Sequence, residues 1–188
     1  MALHILVIVG HEQLQLNFII PHIDLGITIA TGGEGIETYN MNNSTTYSNA
    51  TDFTDNDNNW TSAEYDNAAK DNGALDAHWG AMMTYDYFLN IHGRDSYDDA
   101  GAIIKSYVHY GTNYENAFWN GSVMTYGDGN TRFDILTSLD IVAHEIGHAV
   151  CTYTANLAYR NESGAINESL SDIWSACVEN YAAPNKCL

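Results

Sequence analysis

The stretch SLDIVAHEIGHAVCTY, residues 138–153, decides the fold. Its apolar residues return every three to four positions, which predicts a helix. Residues four apart on a helix share a face, so the imidazoles of His144 and His148 can reach one ion. Glu145 lies about 100° round the helix from His144, which can place its carboxylate beside a bound metal and not on it. By itself the pattern fits two histidines and a glutamate on an exposed helix face equally well.

A second predicted helix, at residues 162–181, supplies acidic partners. Glu168 and Asp172 are four residues apart and therefore also share a face. Catalytic zinc commonly takes three protein ligands and keeps a fourth position for water, so Glu168 can be the third ligand. Asp172 can then accept the far ring proton of a histidine and fix its tautomer. The two helices together predict a catalytic zinc site.

The same pair of helices suggests a calcium site. The short connection between them favours an antiparallel arrangement. At about 1.5 Å per residue, a register that brings Glu168 and Asp172 to the histidines also brings Glu179 close to Asp140. Two acids that meet there would need a cation, and calcium is bound by carboxylate oxygens. The alternative is a pair of unconnected surface acids.

Gly147, inside the first helix, is either a tolerated glycine or a point where another element approaches closely.

Composition excludes some classes of partner. The chain has 6 Lys and Arg against 24 Asp and Glu, a formal charge of −18, which disfavours binding to nucleic acid and to anionic membranes. The acidic excess fits bound calcium or a solvated acidic surface. Cys151, Cys177 and Cys187 form no metal motif; Cys151 and Cys177 are either free buried thiols, the favoured interpretation, or a disulfide. The sequence gives no oligomeric state.

The composition of the chain changes near residue 31. Residues 1–31 begin with an apolar run that lacks a basic flank and a cleavage site, so it is a poor signal peptide and too short to span a bilayer. The predicted elements that follow are a strand at 36–41, a polar loop at 42–59, a long helix over 62–91, and strands at 102–110 and 117–126. Strands ahead of two final helices indicate an α+β domain.

These features together resemble the thermolysin-like zinc metalloendopeptidases. The pattern His144-Glu145-x-x-His148, then nineteen residues, then Glu168-x-x-x-Asp172 is that of the family. NAFWNG, residues 116–121, is similar to the edge strand along which the family's substrates lie, and residues 76–87 resemble its long early helix. The resemblance runs from about Gly32 to Ala183. It implies a β-rich amino-terminal lobe with a long helix, followed by the zinc helix and an antiparallel partner.

The resemblance also implies roles by position. The zinc ligands would be His144, His148 and Glu168, with Glu145 as the base. Tyr159 would help to stabilise the oxyanion, and Asp172 and Asn167 would hydrogen-bond the ligating histidines. Asn116 and Ala117 would contact the peptide substrate. Calcium ligands would be Asp140 and Glu179 in a double site, and Asp55, Asp57 and Asn59 in a separate loop site.

The function so implied is zinc-dependent hydrolysis of peptide bonds in peptides or proteins, on the amino side of bulky apolar residues, by an exported enzyme. The family's second, helical lobe supplies a histidine and an arginine to the cleft. We expect residues 1–31 to be an unmatched leader or aberrant start, and residues 32–188 to be a truncated peptidase domain that ends before that lobe. A catalytically incompetent zinc- and calcium-binding fragment is therefore the alternative function. A peptidase of another zinc clan is a third possibility, which residues 116–121 weaken.

Overall fold

The computed structural model describes residues 35–53 and 69–184 of the 188-residue chain. The predicted loop calcium ligands Asp55, Asp57 and Asn59 lie outside these residues, as does Cys187. The elements in chain order are β1 (Ile36–Asn40), a 3₁₀ turn (Tyr47–Asn49), β2 (Thr51–Asp52), α1 (Asn72–His92), β3 (Ile104–Val108), β4 (Ala117–Trp119), β5 (Met124–Tyr126), α2 (Leu139–Thr154) and α3 (Asn161–Ala182). The predicted α+β class is confirmed.

The strands form one five-stranded sheet in the order β2-β1-β3-β5-β4. The inner pairs β1–β3 and β3–β5 are parallel, whereas β2 and β4 run antiparallel to their neighbours. The crossover from β1 to β3 contains α1, as a parallel pair requires. Among the strands that the structure describes, β4 pairs with β5 alone, so its other edge carries no strand from residues 35–53 or 69–184 and is called the open edge.

The prediction of a single strand over residues 117–126 is wrong, because this segment is the β4–β5 hairpin. The side-chain Oδ1 of Asn120 accepts hydrogen bonds from the backbone N–H groups of Ser122 and Val123, both at 2.9 Å. Gly121 has φ +97°, which favours glycine and allows the reversal. Asn-Gly between two apolar runs is a hairpin signal, and the prediction of one strand overlooked it.

Helix α1 packs between the sheet and α2. Gly80 allows the close crossing with α2, because a Cβ atom there would lie 2.9 Å from Cβ of Val142. The Nδ1 atom of His78 is 3.1 Å from Oγ1 of Thr38 on β1, which ties the helix to the sheet. The helix ends at Gly93, whose left-handed conformation closes a terminal hydrogen bond to Leu89.

Helices α2 and α3 lie within a residue or two of their predicted bounds and run antiparallel. The side chains of α2 that face the core are fully or almost fully buried: Val142, Ala143, Ile146, Ala149 and Val150. Helix α3 covers α2 with one face, and Ile166 and Ile173 on its other face are 51% and 54% exposed.

Cys151 and Cys177 are free thiols, which settles the choice between thiols and a disulfide. No described helix is long and apolar enough to cross a membrane.

Candidate metal centre

Three side chains from α2 and α3 converge on one point. The rings of His144 and His148 stand one turn apart on α2, with centroids 4.6 Å apart. The Oε2 atom of Glu168 on α3 lies 3.2 Å from Nε2 of His144 and 3.7 Å from Nε2 of His148. One ligand atom from each residue lies within 4.8 Å of the others. Among the described residues, these three form the group of His, Cys, Asp or Glu that could hold a metal ion.

The group fits zinc in both chemistry and spacing. Two imidazole nitrogens and one carboxylate oxygen are a donor set that catalytic zinc accepts, with a further position left for water. Donors about 2.1 Å from a tetrahedral ion lie about 3.4 Å from one another. The observed separations of 3.2 and 3.7 Å from the Glu168 oxygen bracket that value.

The far ring nitrogens of both histidines have oxygen partners on α3. His144 Nδ1 is 2.8 Å from Oδ1 of Asp172, and His148 Nδ1 is 2.7 Å from Oδ1 of Asn167. Because these oxygens accept hydrogen bonds, each Nδ1 carries the proton and each Nε2 keeps its lone pair toward Glu168. Asp172 and Asn167 therefore contact the two histidines, as the resemblance implies for these positions.

Ser171 is a further contact of this centre, and the sequence does not predict it. Its hydroxyl oxygen is 3.1 Å from His148 Nδ1, and the residue is fully buried. The only available signal was its position on the α3 face of Asn167 and Glu168, because serine is common in helices of many functions.

Glu145 lies beside the metal group without joining it. The residue is 7% exposed, and its Oε2 atom accepts a hydrogen bond of 2.9 Å from the backbone N–H of Trp119 on β4. Burial raises the pKa of Glu145 to about 7, and the charge of Glu168 adds to the rise, although His148 and the Trp119 N–H oppose it. A carboxylate with a pKa near neutrality is suited to accept and return a proton. A bound cation nearby would lower this pKa.

An open cleft runs along β4 and over the metal group. A cavity of about 600 Å³ is lined by His148 and Tyr159, among others, and an adjoining cavity of about 290 Å³ is lined by Leu136 and Ile141, among others. Four residues line both cavities: Asn116, Ala117, His144 and Glu145. The metal group and Glu145 therefore lie midway along a continuous cleft.

Tyr159 stands at the rim of the larger cavity, just before α3. The residue is 67% exposed, and its ring centroid is 5.7 Å from that of His148. The structure thus brings Tyr159 to the metal group.

Asp140 and Glu179 occupy one end of the helix pair. Asp140 accepts a hydrogen bond from the Ser138 hydroxyl at 2.5 Å, and its carbonyl accepts one from the Ser175 hydroxyl at 2.8 Å. Glu179 is one helical turn beyond Ser175 and half-buried. Shared binding of calcium by Asp140 and Glu179 stays a prediction.

Comparison with known sequences identifies the family. The sequence model for the catalytic domain of the thermolysin metallopeptidases matches residues 24–152, and that for their alpha-helical domain matches residues 155–187. The chain belongs to the thermolysin metallopeptidase family, which confirms the predicted resemblance. The two matches meet at the carboxyl end of α2, whereas the predicted domain division at residue 31 stays a prediction.

Individual relatives agree with this result. A bacillolysin of Brevibacillus brevis is 55% identical over 152 residues, covering 80% of this chain and 27% of the relative. The thermostable neutral protease NprT of Geobacillus stearothermophilus is 52% identical over 157 residues, covering 82% of this chain and 27% of the relative. The chain spans about a quarter of the length of these curated relatives. A solved precursor of protealysin, a metalloproteinase from Serratia proteamaculans, superposes with a TM-score of 0.69 at 32% identity, over 86% of this chain and 48% of that one.

Proposed function

We propose that this chain is the zinc-binding part of a metalloendopeptidase and that His144, His148 and Glu168 hold the ion. The observation that carries the proposal is the convergence of three donor atoms within 4.8 Å in the middle of an open cleft. Family membership supports it independently. Zinc bound there would polarise a substrate carbonyl and lower the pKa of water.

Strand β4 would orient the substrate as an additional strand. At the two ends of β4, Asn116 O accepts a hydrogen bond from Gly127 N and Asn120 N donates one to Val123 O, and both partners flank β5. Backbone groups alternate along a strand, so those of Ala117 face the open edge. An extended peptide that pairs with this edge passes over the metal group, with Asn116 and Ala117 as its contacts.

Glu145 would transfer the proton. Its Oε2 atom is held by the Trp119 N–H, which leaves Oε1 to take a proton from water and deliver it to the departing amine. The hydroxyl of Tyr159, at the rim, would donate a hydrogen bond to the carbonyl oxygen as charge develops on it. Leu136 and Ile141 in the smaller cavity support a preference for bulky apolar side chains. Export from the cell belongs to the same proposal, as family membership implies.

Calcium binding is the second part of the proposal. Asp140 and Glu179 would share the ion at the end of the helix pair, where the Ser175 contact fixes the register. The formal charge of −18 favours divalent cations, because carboxylates in such excess repel one another without them.

A second candidate function is metal binding with little turnover. It is favoured by the openness of the site, where Tyr159 is 67% exposed and the Glu168 side chain 43% exposed. Catalytic electrostatics weaken where water enters, because preorganised dipoles act best in a water-excluded site.

One experiment separates these functions. The 188-residue chain is purified without chelator, its zinc content is measured, and hydrolysis of an internally quenched peptide with bulky apolar residues is followed. About one zinc per chain with chelator-sensitive hydrolysis supports the peptidase, and zinc without hydrolysis supports the second candidate. Zinc that stays bound after His148→Ala and Glu168→Ala together would overturn the assignment of ligands.

A further inference from the structure

We propose that Ser171 is a positioning residue for His148, and that the lack of a side chain at Gly147 allows it to act. The proposal rests on the proposed zinc site, because the ring that Ser171 positions is one of the three ligands.

The proton on His148 Nδ1 faces two acceptors. Asn167 Oδ1 lies 2.7 Å from this nitrogen and Ser171 Oγ lies 3.1 Å from it. Both acceptors are on one face of α3, four residues apart, and both residues are buried. Two oxygens within hydrogen-bond distance of one N–H restrict the rotation of the ring more than one oxygen does. The ring therefore keeps Nε2 directed toward Glu168.

The two histidines are held in different ways, and burial explains the difference. His144 is the more exposed and its partner is a carboxylate, Asp172, whose side chain is 74% exposed. His148 is 9% exposed and its partners are an amide and a hydroxyl, which carry no charge. A buried carboxylate would need to lose its hydration, so neutral acceptors are the less costly way to hold a buried ring.

Gly147 sets the distance between the helices at this point. A Cβ atom there would lie 3.0 Å from Cα of Ser171 and 3.2 Å from both its Cβ and its Oγ. A Cβ atom at this position would be tighter than an ordinary contact, so α3 would have to move by a few tenths of an ångström away from α2. The same stretch of α3 carries Asn167 and Glu168, so a shift would loosen the ligand and both acceptors together. The choice that the sequence left open, between a tolerated glycine and a close approach, is settled in favour of the close approach.

A small residue at position 171 is enough for packing, whereas only a hydroxyl bonds to His148. Ser171→Ala keeps the close helix contact and removes the hydroxyl alone. Ser175→Ala is the matched control, because Ser175 is also buried on α3 and its hydroxyl also bonds to α2, to the Asp140 carbonyl and not to a histidine.

The test measures zinc affinity by competition with a chromophoric chelator and stability by urea unfolding of the apo chains. We expect Ser171→Ala to bind zinc about 10-fold more weakly than the wild type, in the range found when a ligand's hydrogen-bond partner is removed. Ser175→Ala should be destabilised by about as much as Ser171→Ala, and it should keep the zinc affinity of the wild type. Gly147→Ala should lose both stability and zinc affinity.

A double-mutant cycle with Asn167→Ala tests the shared proton. Either acceptor alone still holds the proton on Nδ1, so removing both should weaken zinc binding by more than the product of the single effects. Equal zinc affinities of the Ser171→Ala and Ser175→Ala chains, or strictly multiplicative effects, would overturn the proposal. Failure of the wild-type chain to bind zinc would instead overturn the proposed function, and this inference with it.

Discussion

The backbone N–H of Trp119 donates a 2.9 Å hydrogen bond to Oε2 of Glu145, and it joins the open edge of the sheet to α2, which carries two of the proposed zinc ligands. Because β4 is also the strand that would hold the substrate, the proposed base and the proposed substrate share one support. A displacement of the strand would move both together. Their relative position is therefore better fixed than either would be on a separate loop.

The first prediction concerns Glu145 as a base. Glu145→Gln keeps the size of the side chain and a group that accepts the Trp119 hydrogen bond, but it removes the carboxylate that takes a proton. We expect zinc content to stay near one per chain and peptide hydrolysis to fall at least about 10²-fold. Glu162→Gln, at the exposed start of α3, is the control and should change neither. Lost zinc, or unchanged turnover, would contradict the role of a base.

Calcium gives the second prediction. If Asp140 and Glu179 share an ion, the melting temperature of the chain should rise with calcium concentration by mass action. The double variant Asp140→Asn, Glu179→Gln should lose much of that rise. Magnesium at equal ionic strength is the control for simple screening of the −18 charge. A calcium response that is intact in the double variant would place the ion elsewhere, and residues 55–59 would be the next to test.

The parts of the fold that the sequence predicted are those with long, regular patterns. Helices α2 and α3, of 16 and 22 residues, are long enough to show a regular spacing of apolar and ligand positions. Their facing stripes predicted the antiparallel pair. The same spacing, together with the family resemblance, suggested the zinc ligands that we propose, since two pairs of residues four apart can meet on neighbouring helices.

The features that the sequence did not predict are contacts of the backbone and contacts that depend on close packing of helices. The Trp119 contact uses a main-chain N–H, so the type of side chain carries no sign of it. The contact of Ser171 with His148 depends on a helix separation that Gly147 permits, and a single glycine does not reveal its neighbour. The β4–β5 hairpin was missed because apolar residues continue on both sides of Asn120.

The third prediction concerns the apolar face of α3. Ile166 and Ile173 are more than half exposed and lie seven residues apart on the same side of the helix. Exposed apolar patches promote association, so we expect the purified chain to self-associate. Ile166→Ser with Ile173→Ser should shift it toward the monomer in light scattering after size-exclusion chromatography. Ala165→Ser with Ala176→Ser, also exposed on α3, controls for the helix propensity of serine. A monomeric wild-type chain would contradict the prediction.

The last prediction concerns acid stability and His78. The ring is buried, its Nδ1 contacts Thr38, and its Nε2 has no partner in the described part of the chain. Burial lowers the pKa of His78 from 6.5 to about 4, because an imidazolium there would lose its hydration. Above pH 6.5 the ring is neutral in the folded and unfolded states alike, and its contribution to stability is complete.

Between pH 6.5 and 4 the unfolded chain binds a proton at His78 that the folded chain does not, so stability falls as the solution is acidified. The loss from this one group is on the order of 3 kcal/mol at full effect. The variant His78→Gln cannot take up the proton, so its urea-unfolding free energy should fall less than that of the wild type between pH 7.5 and pH 4.5. Thr84→Val, which removes another buried hydrogen bond of α1, should lower stability equally at both pH values. If the unfolding free energies of the wild type and of His78→Gln fell equally on acidification, protonation of this ring would not account for the pH dependence of stability.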